Sequence, residues 1–361
     1  MEVCLGFARV LCALAAAATG YGQPLACEVR PLPPALTYRL VYRAGYVVTA
    51  PMEQFTGDQR TLAVTVRVTP ERAGARPLLL RDTGKLQAGS DPAKFQVQVA
   101  GGFLLGEGGY QAEMELTDGQ QRVCRKQWAV ELKPHKNVGT ALAPGQLVAF
   151  SQLDWPHLGG RAGRLTVLLH AGAHERNPVL IDSLAAILDR MPFAHVQVVA
   201  FSLDQRKELL RQNVSDARAF RRVEDALEAF NPATVSYGVL KNPVGHRDFL
   251  WQLLAKEGLR AEPPDAVLFV GYSTFDDTHI YAPPACTDGS RKTVYAYFDY
   301  AEPLQRRPAA PGRRRYADRL DLPDVISRVT RACSGKVFHV HSPEELAAAV
   351  ANVDALVRTQ Q

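Results

Sequence analysis

Apolar and polar residues alternate along several stretches of the N-terminal third of the chain. The period of two runs through residues 62–68, 95–99, 110–116 and 123–132. Such alternation predicts strands with one buried face and one solvated face, as in antiparallel sheets. Because the stretches are short and separated by Gly and Pro clusters, residues 23–134 are predicted to form a β-sandwich of immunoglobulin-like size. Its expected role is spacing or protein recognition.

The pattern changes at Leu165–Leu169, an apolar run with no polar alternation. A run of this kind is typical of a strand covered on both faces, as in a parallel sheet with helices on either side. Further strands are predicted at residues 195–201, 266–270, 293–298 and 336–340. Segments with helical spacing lie between them, so residues 164–358 are predicted to form a doubly wound α/β domain. Residues 135–163, with several Pro and Gly, are interpreted as a linker.

The first residues are typical of a secretory signal peptide. Arg9 precedes an apolar stretch and then small residues up to Gly22, so residues 1–22 are predicted to be removed on export. The mature protein is then periplasmic, attached to the cell envelope or extracellular. A lipid anchor on Cys27 is the alternative, although Pro24-Leu25-Ala26 is a poor lipobox. No later segment is apolar enough to predict a transmembrane helix.

Six cysteines are present, and Cys4 and Cys12 fall within the predicted signal peptide. The remaining four are an even number in an exported protein, which indicates disulfides. Three pairings are compatible with four cysteines. We expect Cys27–Cys124 and Cys286–Cys333, because each bridge then stays within one predicted domain. Four buried thiols are the alternative.

Composition excludes few functions. A formal net charge of +5 with 47% hydrophobic residues is ordinary for a globular protein and gives no nucleic-acid signature. Five arginines lie close together in one proline-rich segment, namely Arg306, Arg307, Arg313, Arg314 and Arg315. Such a segment is predicted to be a solvated loop, or alternatively a patch that binds an acidic protein surface or anionic lipids. Because only Tyr316 offers a ring for base stacking there, we expect no nucleic-acid partner.

Four stretches of the second domain read LTVLLHAGAHERNPVLIDSLAAIL, HVQVVAFSLDQRKELL, KTVYAYF, and finally RACSGKVFHV together with SPEELAAAVANV. In this order they resemble the von Willebrand factor A domain, in the divergent form found in exported proteins of acidobacteria. The resemblance implies a bacterial protein with a doubly wound fold. In the family a metal-ion-dependent adhesion site takes Asp-x-Ser-x-Ser from the first loop, a Thr from a second loop and often an Asp from a third.

This chain departs from that pattern at every position of the first loop. His170 stands at the Asp, Gly172 at the first Ser and His174 at the second Ser. The Thr position falls near Gly245-His246, and the third-loop Asp position near Val270-Gly271. Mg²⁺ requires oxygen ligands, so we expect no metal-dependent adhesion. The candidate ligand-binding residues are His170, Gly172, His174, Glu175, His246, Asp276 and Asp277.

Two alternatives stay open for these residues. His170, His174 and His246 could hold Zn²⁺, with Glu175 and Asp248 as hydrogen-bond acceptors, or they could simply link loops. Asp276 and Asp277 beside His279 could serve acid–base catalysis or belong to a solvated loop.

No nucleophile elbow, phosphate-binding glycine loop or Cys–His pair accompanies them in the sequence. We therefore predict a non-catalytic exported protein that binds other proteins, in adhesion, assembly or as an envelope scaffold, without a cofactor. A metal-binding protein or metal-dependent hydrolase using His170, His174 and His246 is the alternative.

Overall fold

The computed structural model describes residues 24–55, 61–72, 74–86, 95–133, 142–150, 160–172, 177–234, 239, 241, 245–272, 286, 293–300 and 324–360. These residues divide into two compact units. The first takes in residues up to 33, with 45–102 and 109–130, and the second takes in 34–44, 103–108 and the chain from 131 onward. The first unit is rich in β-strands, and the second is mixed α/β.

The strands are β1 Glu28–Leu36, β2 Tyr42–Pro51, β3 Thr61–Pro70, β4 Leu78–Lys85, β5 Gln96–Leu105, β6 Gly108–Asp118, β7 Val123–Leu132, β8 Leu147–Val148, β9 Arg161–His170, β10 Phe193–Ser202, β11 Lys207–Val214, β12 Ala266–Gly271, β13 Val294–Asp299 and β14 Lys336–His339. The α-helices are α1 Asn177–Arg190, α2 Ala217–Glu228, α3 Gly245–Gly258, α4 Val325–Ala332 and α5 Pro343–Gln360.

Strands with period-two patterns build the β-rich part of the chain, as predicted. One sheet has the order β4-β3-β6-β7, and β3 pairs antiparallel with both of its neighbours. The alternating residues Leu62, Val64, Val66 and Val68 of β3 are all buried, whereas Arg67 between them is exposed. A second four-stranded sheet has the order β1-β2-β5-β8.

The α/β unit contains a six-stranded sheet of order β11-β10-β9-β12-β13-β14. The last five strands of that order run parallel to one another, and the edge strand β11 is antiparallel to β10. Residues Leu165–His170 of β9 are buried without interruption, which confirms the two-sided burial predicted from their apolar run. The sheet has an apolar core on each face. One contains side chains of α1, α2 and α5, and the other contains side chains of α3 and α4.

Both predicted disulfides are present. Cys27 is bonded to Cys124, and Cys286 is bonded to Cys333. Each bridge lies within one unit of the chain. Among the described residues, none of the helices combines the length and apolar character that crossing a bilayer requires.

Candidate functional site

The carboxyl edge of the six-stranded sheet carries a row of residues in register. Phe201 pairs with His170, His170 with Gly271, Gly271 with Asp299, and Asp299 with His339. The strand order reverses direction at β9, because β10 lies on one side of it and β12 on the other. Ligands of open α/β sheets gather at such a reversal, beyond the carboxyl ends of the strands. His170 and Gly271 occupy that position.

His170 ends β9, as the sequence predicted, and is packed as a neutral side chain. It is 4% exposed, and its ring stacks on Phe201 with 5.2 Å between the ring centroids. Its Nδ1 donates a hydrogen bond to the carbonyl oxygen of Tyr272 at 3.1 Å. Burial lowers the pKa of His170, and His246 adds to this effect, whereas the Tyr272 carbonyl and Asp204 oppose it. Because the charged form is disfavoured, the imidazole is neutral at physiological pH.

Gly271 lets β12 approach β9 closely at this edge. A Cβ placed on Gly271 would lie 2.6 Å from the Cβ of His170 and 3.1 Å from its carbonyl oxygen. Any larger residue would therefore push the two strand ends apart. At the Val270-Gly271 position the family resemblance predicts an aspartate. In this chain Gly271 occupies it, and the close contact with His170 leaves no room for a side chain.

The first turn of α3 brings basic groups to the same edge. Gly245 begins the helix, and a Cβ there would lie 2.5 Å from the guanidinium carbon of Arg206. Arg206 belongs to the turn between β10 and β11, and His246 follows Gly245. Together with the positive end of the helix dipole, these groups make a poor environment for a hard cation.

The structure describes only some of the predicted site residues. His170, Gly172 and His246 are described, and the charge interaction of His246 with His170 places the two imidazoles near each other. His174, Glu175, Asp276, Asp277 and the basic segment Arg306, Arg307, Arg313, Arg314 and Arg315 lie outside the described residues, so their roles stay predictions. Within the part of the chain that the structure describes, no three His, Cys, Asp or Glu side chains are arranged to hold a metal ion.

A second polar cluster at the same edge was not predicted. The buried Tyr297 hydroxyl donates to Asp299 Oδ1 at 3.3 Å and lies 3.4 Å from the carbonyl oxygen of Gly271. Burial raises the pKa of Tyr297 well above its usual value, and the carboxylates of Asp324 and Asp299 raise it further. Asp324 also caps α4, where Oδ2 accepts a hydrogen bond from Ser327 N at 2.9 Å.

His339 completes this cluster. Its Nδ1 lies 3.1 Å from Asp299 Oδ2, and its ring is nearly parallel to that of His341, with 6.4 Å between the centroids. The sequence signal that could have found the pair is His-Val-His at the end of the last strand. A spacing of two residues places both imidazoles on the same side of an extended chain.

No family model matches this chain, and no curated protein matches it either. Among solved structures it is similar to the putative ApaA protein from Bordetella pertussis, at 12% identity and a TM-score of 0.19, over 31% of this chain and 98% of that one. A glycosyl hydrolase family 2 member from Bacteroides cellulosilyticus matches at 13% identity and a TM-score of 0.19, over 76% of this chain and 37% of that one. The TM-scores are too low for these neighbours to bear on fold or function.

Proposed function

We propose that this chain is an exported, non-catalytic protein-binding module, with a von Willebrand factor A-type unit that has lost its adhesion metal. The strand order supports the family resemblance, because a parallel sheet with an antiparallel hairpin at one edge is what the resemblance implies. The two disulfides support export, since such bonds persist in oxidising compartments. Adhesion, assembly or an envelope scaffold are the roles that fit this description.

The observation that carries the proposal is the state of His170. It stands where a metal-binding aspartate is expected, but it offers no oxygen ligand for Mg²⁺, and its ring is buried and stacked on Phe201. Its stacking on Phe201 and its hydrogen bond to the Tyr272 carbonyl hold the end of β9 in place. A binding surface at this edge would therefore recognise its partner directly, without a bridging cation.

Photo-crosslinking in the native host tests the proposal. Tyr272 is half-buried at the carboxyl edge, and p-benzoylphenylalanine, an aromatic residue of related shape, would replace it. Leu259 lies just after α3, is 86% exposed and serves as the control position. We expect a discrete protein adduct from position 272, unchanged by EDTA. Absence of an adduct, loss with EDTA, or the same adduct from position 259 would contradict the proposal.

A metal-binding role for His170 is the second candidate. Because Nδ1 donates to the Tyr272 carbonyl, Nε2 carries the lone pair, and it is buried with no hydrogen-bond partner among the described residues. Metal-binding imidazoles commonly have this arrangement. His246 and His174 are the proposed further ligands. Metal analysis of the purified protein and of His170→Ala distinguishes the candidates, since metal that depends on His170 would replace the first proposal with the second.

A further inference from the structure

We propose that His339 and His341 form a binding site for a borderline divalent metal ion such as Zn²⁺ or Cu²⁺, separate from the edge position of His170. Imidazole nitrogens suit these ions. The two side chains are at the carboxyl end of β14, where both residues are exposed. The site supplies two protein ligands and leaves the other coordination positions to water or to a side chain of a binding partner.

The buried carboxylate of Asp299 orients the first imidazole. Asp299 is 3% exposed, and its Oδ2 accepts from His339 Nδ1, whereas the His339 side chain is 58% exposed. This hydrogen bond places the proton on Nδ1 and leaves the lone pair on Nε2, the nitrogen that binds metal in carboxylate–histidine–metal arrangements. Tyr297 in turn donates to the other oxygen of Asp299. Asp299 is therefore a positioning residue for His339.

The backbone around the second imidazole is fixed on both sides. Val340 N donates to the Asp299 carbonyl oxygen at 2.8 Å, and the Val340 side chain is buried. His341 N donates to Glu345 Oε2 at 2.6 Å, at the start of α5. With Val340 anchored in the core, His339 and His341 are held on the outer side of the chain.

The spacing of the rings is close to that of a chelating pair. With metal–nitrogen bonds of about 2.0–2.1 Å and a tetrahedral angle, two imidazole centroids lie roughly 5 Å apart. The observed distance is 6.4 Å, with the ring planes 5° apart. A rotamer change of the exposed His341 side chain, which turns its ring out of the parallel arrangement and moves it about 1 Å closer to His339, would bring both Nε2 atoms onto one ion.

Calorimetric titration of the tag-free protein with ZnCl₂, and separately with CuCl₂, tests the site. We expect one ion per chain, with affinity lowered roughly tenfold or more by His339→Ala and by His341→Ala. Asp299→Asn should weaken binding by about 10- to 100-fold, as for other partners of metal-binding histidines. His195→Ala, which removes an exposed histidine from β10, is the matched control and should bind as the parent protein does.

Circular dichroism of each variant distinguishes loss of the metal site from loss of the fold. Because His339 and His341 are exposed, their alanine variants should fold and remain informative even if Asp299→Asn unfolds. No binding at millimolar zinc or copper would overturn the proposal. Undiminished binding by the double variant His339→Ala/His341→Ala would overturn it as well. If that remaining binding were lost in His170→Ala, the ion would belong to the other candidate site.

Discussion

Replacing His170 with asparagine should remove a pH-dependent part of the stability of the α/β unit. Asparagine keeps a donor in the place of Nδ1 for the Tyr272 carbonyl, but it cannot take up a proton. In the parent protein, burial lowers the pKa of His170, so the unfolded chain binds the proton more readily than the folded one. The stabilising contribution of His170 is therefore fully present above the unfolded pKa of about 6.5, and it falls as the pH drops below that value.

The size of the effect follows from a single proton. Between the folded and unfolded pKa values of His170, the free energy of unfolding should fall by up to about 1.4 kcal/mol per pH unit in the parent but not in the variant. At neutral pH the variant should be less stable, since it loses the ring contact with Phe201, and aromatic pairs contribute about 0.5–1.5 kcal/mol. The stability difference between the two proteins should thus shrink on acidification.

Urea denaturation at several pH values between neutral and about pH 5 measures this difference, and the groups shared by both proteins cancel in it. His195→Asn, a change at an exposed histidine of the neighbouring strand, controls for the substitution itself. A difference between parent and His170→Asn that stays constant with pH, or grows on acidification, would refute the conclusion that His170 is held as a neutral imidazole.

Two further substitutions test the packing of the same unit. Gly271→Ala should destabilise the protein by about 1–3 kcal/mol in urea denaturation, because the added Cβ would clash with His170. Gly84→Ala is the control and should be neutral, because no atom lies within 4 Å of a Cβ placed there. Equal effects of the two substitutions would contradict the close approach of β12 and β9. Glu257→Ala should cost about 1.5–3 kcal/mol, because it removes a carboxylate, 1% exposed, that accepts from Thr166 and pairs with Arg211 and Arg260, while Arg211 keeps its second partner Glu208. Glu115→Ala, at an exposed ion pair, should cost less than about 1 kcal/mol in the same assay, and a loss as large as that of Glu257→Ala would refute the distinction.

Local patterns in the sequence were sufficient to predict a β-rich region followed by an α/β region and many of their strands, although β1, β2, β4 and β8 were not predicted. Alternation over residues 62–68 predicted a half-buried strand, and the uninterrupted apolar run Leu165–Leu169 predicted a fully buried one. Both patterns depend only on neighbouring residues, because side-chain direction repeats every two residues in a strand. The position of His170 at a strand end followed from the same pattern.

The polar cluster could not be predicted in this way, because its members come from separate elements. Tyr297 and Asp299 lie on β13, and Asp324 lies at the start of α4. Only the register of the sheet and the packing of the helix bring them together. Glu257 is a similar case, since a charged residue in a helix is expected to be exposed, and its burial depends on Arg211 of the distant strand β11 as well as on the neighbouring Arg260.

The assignment of residues 34–44 to the α/β unit affects how the protein can be divided for experiments. Leu40 is 1% exposed within the apolar core that also holds side chains of α1, and Arg39 pairs with Asp189 of that helix at 3.3 Å. A fragment that begins after the first unit would leave an open cavity where Leu40 belongs and an aspartate without its arginine. Fragments made for crystallisation or for binding assays should therefore keep the segment before β2 in the same polypeptide.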